Sequence, residues 1–132
     1  MKSQKKINTE KQWLLFYNIM NARSTEENIH VSEISGKKLY GEINSCWFHH
    51  ILPKSKYPEL RYCMANIIML TTEEHDAVER GQYFKEVEDR KIALQEDYDY
   101  YVEETKKYVE EVLNPIYEHA VKNTAFFKQN QH

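Results

Sequence analysis

The run Phe48-His49-His50-Ile51-Leu52-Pro53 holds two adjacent histidines; Asn66 follows 16 residues after His50, and His75 nine residues after that. An imidazole can ligate a metal through its lone pair or exchange a proton near neutral pH. Successive side chains of a strand point to opposite faces, so one histidine can face a metal while the other faces something beside it. His75 falls in the first turn of an expected helix, and Glu79 lies four residues on, on the same helical face. Two imidazoles and a carboxylate suit a divalent transition metal or a partly hydrated Mg²⁺.

These residues need elements to hold them. The segment 42–52 is apolar and aromatic, with Trp47, Phe48 and Ile51 reading as strand. Pro53 and Pro58 bracket a polar loop, and Asn66-Ile67-Ile68-Met69-Leu70 reads as a short buried strand. Thr71 and Glu74 form a Thr-x-x-Glu capping box that opens a helix from about Thr72 to Arg80, with Gly81 as its stop. Upstream, Thr9 and Gln12 have capping-box spacing, and Trp13, Phe16, Tyr17 and Met20 fall on one helical face. The polar stretch 22–41 reads as loop with a short hairpin. Downstream of Gln82 the pattern is helical. Leu94, Tyr98, Tyr101, Thr105, Tyr108 and Val112 form an a/d seam, widened by Val102, Val109 and Ile116. Asn114-Pro115 is expected to kink or break this helix. The seam serves as intrachain core or as a homodimer interface. The fold class is therefore α+β and mostly α-helical. A single domain over 1–132 would comprise an N-terminal helix at 8–21, a hairpin-plus-helix core at 42–81 and a C-terminal helical extension at 83–128.

The 132 residues suffice for one domain with a modest core. Hydrophobic residues make up 41% and charged residues 30%, the balance of a folded, soluble chain and not of a disordered one. Three Gly and three Pro are too few for a turn-rich all-β fold. No apolar run is long enough for a transmembrane helix, and Met1 to Asn8 lacks the apolar core of a secretory signal. Cys46 and Cys63 read as two reduced thiols in a cytoplasmic protein. The net charge of −3 argues at first against a nucleic-acid partner, but it hides a division. Residues 1–63 carry 10 Lys and Arg against 6 Asp and Glu; residues 64–132 carry 8 against 15. A basic face with an acidic back is expected.

From Cys46 to Glu79 the chain resembles the HNH nucleases, or ββα-metal nucleases: His-His before Ile-Leu-Pro, then Asn-Ile-Ile-x-Leu, then His, all at the family's spacing. The resemblance implies a ββα-metal finger and a metal-dependent endonuclease acting on DNA. It makes His49 a metal ligand, His50 the general base, Asn66 the anchor of the loop between the strands, and His75 the second ligand. Glu79 falls where some members place a further ligand. Lys54, Lys56 and Arg61 then lie where they could bind flanking phosphates, with Arg61 also assisting at the scissile one. One divalent ion is implied, Mg²⁺ first, with Mn²⁺, Ni²⁺ or Zn²⁺ as alternatives. The family's distribution suggests a phage, mobile-element or defence origin. Many members flank the motif with CxxC pairs that hold a structural zinc; here Val31 to Leu39 occupies that place without cysteines. The alternative reading is a non-catalytic ββα module kept for DNA binding or partner assembly.

Overall fold

A computed structural model describes residues 2–24, 26 and 29–122. Helix α1 spans Gln4–Arg23, strand β1 Phe48–His50, strand β2 Ile67–Met69 and helix α2 Thr72–Glu79. Helices α3 (Lys85–Glu96), α4 (Tyr98–Tyr108) and α5 (Asn114–Lys122) follow. The fold is α+β and mostly helical, as the sequence predicts.

The two strands pair antiparallel with Phe48 opposite Met69, His49 opposite Ile68 and His50 opposite Ile67. The ladder continues past the named strands, because Leu70 N–H donates to Trp47 O and Ile51 N–H to Asn66 O. The strand expected within 42–52 is therefore only three residues long. Ser45–Trp47 forms a 3₁₀ turn instead, capped by the Asn44 side chain, which accepts from Cys46 N–H at 2.9 Å.

β2 is buried on both faces. Ile67 and Met69 join Leu15, Phe16, Ile19, Trp47 and Phe48 in one apolar cluster, while Ile68 and Leu70 join Ile51, Leu52, Leu60, Cys63, Val87 and Leu94 in another. The first cluster docks α1 on the hairpin. At its centre the Phe16 and Phe48 rings stack with centroids 4.1 Å apart and planes 2° from parallel. The second is closed by α3.

α1 begins five residues earlier than Thr9. Ser3 is its N-cap, the hydroxyl accepting from Lys6 N–H at 3.2 Å. Thr9 instead donates its hydroxyl to Lys5 O at 3.0 Å, a back-bond that exists only where the preceding turn is already helical. The expected 8–21 helix is thus a 20-residue helix, and its buried stripe centres on Leu15, Phe16 and Ile19, with Trp13 and Met20 at the edges.

α2 follows its expectation closely. Thr71 Oγ1 accepts from Glu74 N–H and the Glu74 carboxylate accepts from Thr71 N–H, closing the capping box. Its end is a Schellman turn: Gln82 N–H reaches Ala77 O, Gly81 N–H reaches Val78 O, and Gly81 takes φ +89°.

The C-terminal extension differs in two ways. Asp97 leaves helical geometry (φ −110°, ψ 35°) and divides α3 from α4 within what the seam presents as one helix. Further on, Asn114-Pro115 causes no break. Val109–Leu113 widens into a π turn that runs directly into α5, with Asn114 N–H donating to Val109 O. Pro115 lacks an N–H and crowds the preceding turn, and the wider turn accommodates both. One extra residue per turn also advances the helical phase. Leu113 is therefore fully buried, whereas Val112 and Ile116 of the expected seam are 39% and 38% exposed. The seam up to Tyr108 packs within the chain: Leu94 and Thr105 are buried, and Tyr98 and Tyr101 lie against the second cluster. Residues 123–128 of the expected extension lie outside the described residues.

In the cysteine-free segment from Val31 to Leu39, Val31 bridges Lys38 in a tight loop. This loop is tied to the hairpin by Glu33. Its carboxylate accepts from Met69 N–H at 2.6 Å, Arg23 at 2.8 Å and Arg90 at 2.5 Å. Arg23 also donates to Ile67 O and Met64 O, and Arg90 to Ile67 O. An ionic knot thus joins α1, α3, the loop and β2. Among the described residues, no helix is long and apolar enough to cross a membrane.

Candidate metal and general-base site

β1 separates its two histidines by pleat alone. His49 turns toward α2, where its ring meets that of His75 edge-on at 5.5 Å between centroids. Glu79, one turn beyond His75, brings a carboxylate oxygen to 3.5 Å from His49 Nδ1 and to 3.5 Å from His75 Nε2. One potential ligand atom from each of the three residues lies within 4.8 Å of the others. Two imidazole nitrogens and one carboxylate make a donor set that fits a divalent cation. Burial keeps His49 below the ordinary histidine range, with Glu79 acting against this and His75 adding to it. It is therefore unprotonated at neutral pH, with a lone pair free for a cation. His75 Nδ1 is buried without a hydrogen-bond partner among the described residues.

His50 turns the other way, toward the α1 side, its ring 6.5 Å from that of Phe16. Its Nε2 lies 3.1 Å from the carbonyl oxygen of Arg61. A carbonyl only accepts, so Nε2 carries the proton and Nδ1 keeps the lone pair. Burial depresses His50 to about 4; the Arg61 carbonyl opposes this, and Lys54, His49 and the Arg61 side chain reinforce it. The ring is neutral, with its tautomer set by the backbone.

Asn66 is wholly buried and makes the loop rigid. Its Oδ1 accepts from Leu52 N–H at 2.7 Å, and its Nδ2 donates to Leu52 O at 3.0 Å and Leu60 O at 3.3 Å. Its side chain hydrogen-bonds to neither histidine. Its position is that of an anchor of the loop that carries Arg61.

The loop cations divide. Lys54 and Arg61 line a cavity of about 430 Å³ together with Lys5, Asn8, Thr9 and Gln12 of α1. Lys54 is held below its ordinary value by partial burial and by Arg61. Lys56 is exposed on the same loop and does not line this cavity. The α1 residues escape sequence reading because Thr9–Gln12 is taken as a helix start. With the helix begun at Ser3, positions 5, 8, 9 and 12 are one polar stripe of helical period.

No family model, curated protein or solved structure matches this chain.

Proposed function

We propose that the protein is a metal-dependent endonuclease of the HNH type that hydrolyses DNA phosphodiester bonds. The observation that carries this reading is a neutral, backbone-oriented His50 on one face of a strand whose preceding residue, His49, turns to the other face and joins His75 and Glu79 in a group able to hold a metal. His49, His75 and Glu79 would hold one divalent ion, Mg²⁺ or a transition ion. Such an ion supplies Lewis acidity toward the scissile phosphate and the leaving 3′ oxygen. His50 Nδ1 accepts the proton of the attacking water, while the Arg61 carbonyl holds the ring and stabilises the imidazolium that forms. A base depressed to about 4 is a weak proton acceptor in the free protein. The negative charge of an approaching phosphate raises it, which places full basicity in the substrate complex. Asn66 acts as a positioning residue through the loop, and Arg61 contributes a fork of donors to a phosphate.

The experiment is plasmid nicking with Mg²⁺, Mn²⁺ or Ni²⁺. Wild-type protein should nick supercoiled DNA, EDTA should stop it, and His50→Ala should lower the rate by roughly 10²-fold or more. Cleavage at wild-type rate by a clean His50→Ala preparation removes His50 as the base. Failure of both wild-type and His75→Ala protein to bind a divalent ion in calorimetry leaves the non-catalytic module as the reading.

A further inference from the structure

The geometry points to the cavity between α1 and the 53–61 loop as the seat of a second phosphate of the DNA strand, one not cleaved, with Lys5 and Gln12 of α1 as binding residues. This rests on the nuclease reading for the nature of the ligand and extends the substrate site to a helix outside the motif.

Three cations, Lys5, Lys54 and Arg61, line this space beside Asn8, Thr9 and Gln12, and among the described residues no carboxylate lines it. Like charges gathered without a counter-charge repel one another, an arrangement that an anion relieves. The only carboxylate of α1, Glu10, is buried and committed to Lys2 at 2.9 Å. The first turn of α1 carries Lys5 and Lys6 and no acid, although the positive end of a helix dipole favours acids there. An anion beside this turn answers both charges and dipole. Arg61 Nε is buried without a protein partner. Lys54 Nζ donates to Gln12 Oε1 at 3.3 Å, spanning the two walls, and Tyr62 Oη to Asn8 Oδ1 at 3.2 Å holds α1 against the loop.

Arg61 gives the cavity its register to the chemistry. Its carbonyl holds His50, and its side chain lines the cavity. A phosphate on that guanidinium is therefore a near neighbour of the base. The polar amides and hydroxyl of α1 supply uncharged donors to the remaining phosphate oxygens.

The test is binding of a fluorescent DNA duplex in EDTA, where nothing is cut, over a range of salt. Lys5→Gln should weaken binding roughly 3- to 10-fold at low salt and reduce the slope of log K against log [salt] by about 0.9. Lys5→Gln combined with Arg61→Gln should reduce it by about twice that. Lys5→Arg should restore the wild-type slope. Lys107→Gln, on the acidic helix α4, serves as control and should change neither quantity. The inference is overturned if Lys5→Gln behaves as Lys107→Gln, or if wild-type protein has no measurable affinity for the duplex. Binding lost in Lys5→Gln while wild-type protein nicks no plasmid upholds this site and removes the nuclease. Nicking with an indifferent Lys5→Gln does the reverse.

Discussion

His50 shows how a backbone atom can assign a side chain its task. The Arg61 carbonyl leaves Nδ1 as the lone-pair nitrogen, and burial keeps the ring uncharged well into the acid range. The sign of the consequence for folding follows from linkage. The unfolded chain protonates His50 near 6.5 and the folded chain only near 4, so stability is full above about pH 6.5 and falls as pH drops toward 4. A shift of this size corresponds to on the order of 3 kcal/mol. Urea titrations in EDTA between pH 7 and 4 should therefore show a steeper loss for wild type than for His50→Gln, and parallel curves would refute the depressed ionisation. The motif residues His49, His50, Asn66, His75 and Glu79 were legible in the sequence because their relations are short-range, set by pleat and helical turn. The acceptor of His50 was not, since every residue type carries the same carbonyl.

Elements with chemical punctuation could be read with little error, and those without it could not. α2 announces itself by Thr71, Glu74 and Gly81, and all three act as expected. α1 offers two hydroxyls near its start, and only the direction of hydrogen bonding tells cap from back-bond. The π turn has no residue signature, yet it reassigns burial from Val112 to Leu113. The ionic knot is equally silent in sequence, its members lying at positions 23, 33, 67, 69 and 90. Its importance is nevertheless measurable. Glu33→Ala strands two guanidiniums against each other and leaves Met69 N–H unpaired. About 2–4 kcal/mol of unfolding free energy should be lost in guanidinium or thermal melts. Glu33→Gln, which keeps an acceptor for Met69, should lose less. A Glu33→Ala protein as stable as wild type would show the knot to be ornamental.

Over the whole molecule, the basic and acidic halves of the sequence acquire places. Lys5, Lys54 and Arg61 gather at one cavity, while α4 and the π turn carry Glu103, Glu104, Glu110 and Glu111 on exposed positions. Net charge alone conceals this, and so does sequence distance, because even Gln12 and Lys54, the nearest residues of the cavity's two walls, are 42 positions apart. β2, shared by both apolar clusters, should make unfolding one event. Tryptophan emission, reporting Trp47 in the first cluster and Trp13 packed against it, and far-UV circular dichroism should trace the same urea transition. Two separated midpoints would mean the clusters melt apart. The same strand pair settles a subtler matter. His49 and His50 are chemically identical neighbours, and only parity distinguishes the proposed ligand from the proposed base: a slip of the ladder by one residue would exchange the faces they turn to. The hairpin is pinned against that slip at both ends, by Asn66 at the loop and by Glu33 at Met69. Those two side chains hydrogen-bond to neither His49 nor His50, yet they keep count for both.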